Sequence, residues 1–268
     1  MNAPYVATQH EKLLHGQVAD LTMRVARPLI WHDHREAWPK RLAGGTCFIL
    51  RFDGGLVGVT ADHVVAAFEH AALPGAGVTS LLRTVPFDLK GALIARDANH
   101  DIATFSVTED QLRRCEAVEI DCRASAWPPK DPEEGSAISF GGFPEIIKKE
   151  SLHSSVTFAA FVDLTYIQAV TGREIIATYD PKRDSRVRAA PELPDVGANL
   201  SGCSGGPVLL HFELNGLHRW RPIGMMIAGP REQGTGSLAE FDMIRFQRID
   251  VIQPDGSIKK DNIGIGQA

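Results

Sequence analysis

The sequence predicts an all-β fold divided into two β-rich units. Three observations carry this. Short apolar runs recur along the chain (GALIA, DIATFSV, SAISFGGF, SSVTFAAFVDL, REIIATY, GGPVLLHFEL, PIGMMIAG), and Pro, Gly, Asp and Asn clusters separate them. Such punctuated runs are the pattern of a sandwich or barrel. Few stretches sustain a helical period. The proline- and charge-rich SAWPPKDPEEG (125–135) splits the pattern roughly in half and reads as a linker.

Taken in order, residues 1–43 form an N-terminal extension. LLHGQVADLTMRVA carries a weak helical period broken at Gly16, and WHDHREAWPK is a polar stretch closed by Pro39. The first unit spans 44–125. Within it, GTCFILRFDGGLVGVTADHVV places two apolar runs around Asp53-Gly54-Gly55, the pattern of a hairpin. HVVAAFEHAA then holds a short helical period. The second unit spans 126–268. There DMIRFQRIDVI also fits a helical period and is expected to form a C-terminal helix. No repeat of solenoid type is visible.

Composition excludes several classes. The chain has 268 residues, 44% hydrophobic and 23% charged, with a net charge of −5. That balance offers no basic footprint for nucleic acid and no polybasic run for a membrane surface. At 7%, aromatics are too sparse for a base-stacking surface. The start, MNAPYVATQHEKLLHGQVADL, lacks the cationic, apolar and small-residue regions of a secretory signal, so a cytoplasmic protein is expected. The four cysteines, Cys47, Cys115, Cys122 and Cys203, form no C-x-x-C pair and are expected to be free thiols, insensitive to reductant. His32 and His34 form an H-x-H with no further ligand set in view, and read as a solvated loop. No metal and no organic cofactor are expected.

The chemistry-bearing stretch is SGCSGGP (201–207). Gly202-Cys203-Ser204-Gly205-Gly206 formally fits the G-x-S-x-G elbow of α/β-hydrolases, which requires the chain order Ser, acid, His. After Ser204 come only His211 and His218, too soon to follow an acid-bearing strand, and Pro207 with VLLHF reads as a strand rather than the helix an elbow opens. The opposite order is present. His63 stands in TADHV, Asp101 in DIATF and Ser204 in GCSGGP. A serine hydroxyl needs a base to take its proton, histidine titrates near working pH, and a carboxylate fixes the histidine tautomer.

These three segments, with GTCF ahead of the histidine, GGFP in the middle and PIGMMIAG after the serine, resemble the trypsin-like (chymotrypsin-fold) serine peptidases of bacterial type over roughly residues 44–250, without a PDZ domain. The resemblance implies two packed antiparallel six-stranded β-barrels with the active site in the crevice between them. It implies a serine endopeptidase acting on protein or peptide substrates through an acyl-enzyme. Its catalytic residues would be His63, Asp101 and Ser204, with an oxyanion hole made by the amides of Gly202 and Ser204. The primary pocket would be based near Ala198 and Asn199, uncharged residues that argue against Lys or Arg specificity. Ile227, Ala228 and Gly229 would pair with substrate backbone as an added strand.

Two departures stand out. Asp62 replaces the usual alanine before the histidine, adding a carboxylate that would raise the histidine pKa. Cys203 replaces the aspartate that, in many animal relatives, pairs with a freed N-terminus. The oxyanion loop is therefore expected to rest on packing of Cys203 or on a regulatory protein partner. A form trimmed near Ala43 is expected to match the full chain in activity. The alternative from another class is a catalytically silent or partner-activated protein that uses the crevice to bind peptides.

Overall fold

The computed structural model describes residues 9–35, 42–73, 77–123, 127–144, 148–150, 156–158, 160–179, 200–228 and 242–260. Helix α1 (Gln9–Val25) runs straight through Gly16, then hands over to strand β1 (Arg27–Asp33). The hairpin around Asp53-Gly54 joins β2 (Ala43–Phe52) to β3 (Gly55–Thr60), with Phe52 opposite Gly55. Helix α2 (Asp62–Ala71) follows. Then come β4 (Val78–Leu82), β5 (Val85–Pro86), a single turn α3 (Leu89–Ala92), β6 (Leu93–Asp97), β7 (Ile102–Val107), α4 (Glu109–Arg114) and β8 (Ile120–Asp121).

These strands form one eight-stranded sheet in the order β5-β4-β1-β2-β3-β7-β6, with β8 paired in parallel to β2. The central strand β2 carries an unbroken buried run, Cys47 to Leu50, each residue 0% exposed. Where β3 crosses β7, Gly58 lies opposite Phe105, and a Cβ at Gly58 would stand 2.1 Å from the ring. Only a glycine lets that phenylalanine fill the core at this point.

The second unit holds β9 (Ala137–Gly142), a two-stranded pair β10 (Lys148–Glu150) and β11 (Val156–Phe158), then β12 (Phe161–Val170), β13 (Glu174–Tyr179), β14 (Pro207–Leu214), β15 (Leu217–Ala228) and β16 (Asp242–Arg248). Six of these close a barrel in the order β12-β13-β16-β15-β14-β9. Phe140, Phe161 and Phe246 meet inside it beside Ile138, Ile175 and Met226.

Three expectations change. The C-terminal helix is instead β16. Ile244 and Phe246 are buried while Met243 and Arg245 are exposed, a period of two that outweighs the helical reading of the same letters. The division at residue 44 falls inside the first sheet, because β1 pairs with β2 on one side and β4 on the other. Residues 1–43 are thus more than an extension. The division near 126 is crossed as well. Trp127 of the supposed linker packs on Phe52, and its indole N–H donates to the Ile252 carbonyl at 2.7 Å. Past β16, Ile249 and Ile252 return to the first core, and Thr104 donates to the Gly256 carbonyl. Among the described residues no helix is long and apolar enough to cross a membrane.

Helix α1 is tied to the barrel by a hydrogen-bond chain whose direction is fixed. Thr22 spends its one hydroxyl hydrogen on the Val18 carbonyl, so it accepts from Ser139 at 2.8 Å. Ser139 therefore accepts from His211 Nε2–H at 2.7 Å, and His211 Nδ1 accepts from His218 Nε2–H at 3.0 Å. Burial, and then the neighbouring His218, push the His211 pKa down to about 4. The unfolded chain takes up this proton as pH falls through about 6.5, and the folded chain resists it until about 4. Stability should therefore fall across that window by up to about 3 kcal/mol. Urea midpoints at pH 7.5 and 4.5 check this. The drop should be smaller in His211→Gln, and an equal drop in both proteins would rule the chain out as its cause.

Candidate active site

The first turn of α2 sets His63 against the turn that precedes β7. The His63 backbone N–H donates to Asp101 Oδ1 at 2.9 Å, and ring Nδ1 lies 2.7 Å from Asp101 Oδ2. Both carboxylate oxygens thus hold the same histidine, and Asp62 N–H donates to the Asp101 carbonyl at 3.1 Å. Asp101 has φ +51°, a left-handed conformation that aspartate tolerates better than most residues. With Nδ1 turned to the carboxylate, Nε2 is the ring atom left for acid–base work. The His63 side chain is 51% exposed, so solvent reaches it.

Asp62 does not act on this ring as expected. It is buried and paired with Arg96 at 2.6 Å, and Arg96 also contacts Glu69. Its charge is neutralised away from the histidine. Neighbouring His100 turns to Asp97, with Nδ1 3.1 Å from Oδ2, leaving Asp101 to His63.

The Ser204 loop reaches the same place from the barrel. Gly202 (φ +94°) and Gly205 (φ +85°) take backbone conformations that side chains disfavour. A Cβ on Gly205 would lie 2.1 Å from the Thr46 carbonyl, 2.5 Å from Thr60 Oγ1 and 3.0 Å from the Ala61 amide, two residues before His63. The loop therefore packs directly on the start of α2. Among the described residues no hydrogen bond joins Ser204 Oγ to His63.

Amide use in the loop is selective. Cys203 N–H donates to the Leu200 carbonyl, Gly205 N–H to Met226 and Gly206 N–H to Cys203. The amides of Gly202 and Ser204 donate to no partner among the described residues. These are the two N–H groups an oxyanion would need.

Thr46, near the start of β2, is a hub that no sequence motif marks. It is 0% exposed. Its N–H donates to the Ser204 carbonyl at 2.9 Å, and its hydroxyl donates to the Gly202 carbonyl at 2.7 Å while accepting from Phe143 N–H at 2.9 Å. Its own carbonyl accepts from Thr60 Oγ1 at 2.7 Å. A lone polar residue before the apolar run Cys47 to Leu50 is the one sign it leaves in the sequence.

Of the expected substrate contacts, Ala198, Asn199 and Gly229 lie outside the described residues. Strand β14 begins opposite Met225, and Met226 bonds to Gly205 and Gly206. Ile227 and Ala228 run past that point without a β14 partner among the described residues. Ile227 is half-buried against the first core.

All four cysteines are free and buried. Cys203 belongs to the barrel core beside Gly142, and burial pushes the thiols of Cys47 and Cys203 well above the usual range and that of Cys122 up to about 12. Ellman's reagent at pH 8 should therefore titrate essentially none of the four in the native protein and all four in denaturant, and dithiothreitol should leave Tm unchanged. A fall in Tm with reductant would reveal a disulfide. His32 lies within β1 rather than in a loop, with His34 in the turn after it. Among the described residues no group of three or more His, Cys, Asp or Glu is placed to hold a metal.

No family model matches the chain, and no curated protein matches it. Among solved structures it is similar to one from Sesbania mosaic virus, from work on how "aromatic interactions drive the coupled folding and binding" of that virus's intrinsically disordered VPg protein. The two share 14% identity over 85% of this chain and 93% of the other, with a TM-score of 0.42. A likeness at that level carries no argument about this chain's activity.

Proposed function

We propose that the chain is a serine endopeptidase of the trypsin-like kind, with His63, Asp101 and Ser204 as its triad and the eight-stranded first sheet serving as the first of two barrels. The observation that carries this reading is the double hold of Asp101 on His63, directly beside the loop that bears Ser204. Ser204 Oγ attacks the scissile carbonyl carbon as its proton passes to His63 Nε2. The oxyanion that forms takes hydrogen bonds from the Gly202 and Ser204 amides. His63 then protonates the leaving amine, the C–N bond breaks, and an acyl-Ser204 ester remains. A water molecule, deprotonated by the same histidine, hydrolyses it. The edge at Ile227 and Ala228, with no β14 partner among the described residues, suits an extended peptide laid along the end of β15. A protein or peptide substrate and a cytoplasmic setting remain part of this proposal.

One observation favours a second reading. Ser204 and His63 are not hydrogen-bonded, as in a silent or partner-activated member, although such bonds often tighten only with substrate present. A fluorophosphonate probe separates the two. Labelling confined to Ser204 and lost in His63→Ala supports the enzyme. A full-length protein that neither labels nor turns over a peptide library favours the second reading.

A further inference from the structure

We infer that Thr46 is a positioning residue for the oxyanion loop, an inference that rests on the endopeptidase reading for its catalytic consequence. The peptide that follows Ser204 is held by main chain alone. Its carbonyl takes the Thr46 N–H and its N–H goes to Met226. The peptide between Gly202 and Cys203 is different. Its N–H goes to Leu200, and its carbonyl is held by the Thr46 hydroxyl. Gly202, with φ +94° and no Cβ, has little intrinsic resistance to rotating that peptide. The Gly202 N–H sits on the preceding peptide, which shares the Gly202 Cα, so loosening the Gly202–Cys203 peptide frees the dihedrals of Gly202 and lets its N–H swing away from the place where an oxyanion forms.

The hydroxyl is well fixed. Its one hydrogen goes to Gly202, so the bond from Phe143 N–H must be accepted. A Cβ on Gly142 would lie 2.7 Å from Thr46 Oγ1, so β9 closes over it from the other side. Thr46 thus joins β2, the end of β9, the end of β3 and the Ser204 loop in one buried knot. Cys203 anchors the loop by packing, and Thr46 sets its orientation.

The test compares Thr46→Val, which keeps the shape and loses the hydroxyl, with Thr46→Ser, which keeps the hydroxyl. In Thr46→Val, kcat should fall about 10- to 100-fold with KM within about threefold, because the lost interaction matters most when negative charge develops. Affinity for a peptide aldehyde, which forms a tetrahedral adduct on Ser204, should fall in parallel, and Thr46→Ser should restore most of both. A merely structural role would lower active-site concentration and leave kcat per titrated site unchanged. Backbone ¹⁵N relaxation of Gly202 and Cys203 gives a readout independent of turnover, with fast motion rising in Thr46→Val and not in Thr46→Ser. A Thr46→Val protein with wild-type kcat per site, or with a loop as rigid as wild type, overturns the inference. A wild type without turnover or labelling, whose loop still loosens in Thr46→Val, overturns the endopeptidase reading and keeps the clamp.

Discussion

Ser204→Ala and His63→Ala are each expected to cut peptide turnover by about 10⁴- to 10⁶-fold, with the double variant little worse than either. The reason is mechanistic unity. Without the histidine, the serine hydroxyl keeps its proton, and without the serine, the histidine has nothing to activate. Asp101→Asn should cost about 10⁴-fold, because an amide in place of the carboxylate favours the wrong histidine tautomer and no longer stabilises the imidazolium. An amide has one acceptor oxygen for these two contacts, so keeping the bond from the His63 backbone N–H turns its NH2 toward Nδ1. The variants should melt within a few degrees of wild type, since His63 is exposed and Ser204 only partly buried. Single-turnover kinetics with an activated ester measures the acylation step directly. Losses that simply multiply in the double variant would mean that the two residues act independently, and the triad assignment would fall.

The segments that meet at this site were legible because each is short and local. TADHV ends a strand and opens a helix, DIATF opens a strand after a tight turn, and GCSGGP can only be a sharp glycine turn. What was not legible depends on non-local contacts. Thr46 binds carbonyls and amides of residues about a hundred or more positions away, and nothing in GTCF announces its partners. The stretch DMIRFQRIDVI fits periods of both 3.6 and 2, and closure of the barrel between β13 and β15 decides for the strand. Asp62 looked like a perturbation of the histidine, and only its contact with Arg96 removes it from the ring. The chain Thr22–Ser139–His211–His218 draws on four separate elements and has no sequence signature.

Removing residues 1–42 is expected to unfold the first sheet, contrary to the expectation that trimming near Ala43 is harmless. Strand β1 lies inside the sheet, with five residues in register on β2 and five on β4, so its loss detaches β4 and β5 from the rest. Val25, Leu29, Ile30 and Trp31 are at most 5% exposed. At about 1.5–3 kcal/mol for each large apolar side chain, their burial contributes roughly 6–12 kcal/mol, comparable to the whole stability of a typical domain. Arg27 is nearly buried, and its guanidinium donates to the carbonyls of Met23, Ala26, Cys115 and Glu116, fastening β1 to the end of α4. The site feels the loss directly, because Trp31 packs edge-on against Phe68 of α2, the helix that carries His63, with ring centroids 5.7 Å apart. The trimmed chain should therefore lose its cooperative melting transition and its activity together, measured by circular dichroism and peptide turnover on the same preparation. A trimmed protein that melts within about 5 °C of the full chain, a shift worth roughly 1–2 kcal/mol at this size, and keeps its turnover would show that β1 is dispensable to both sheet and site.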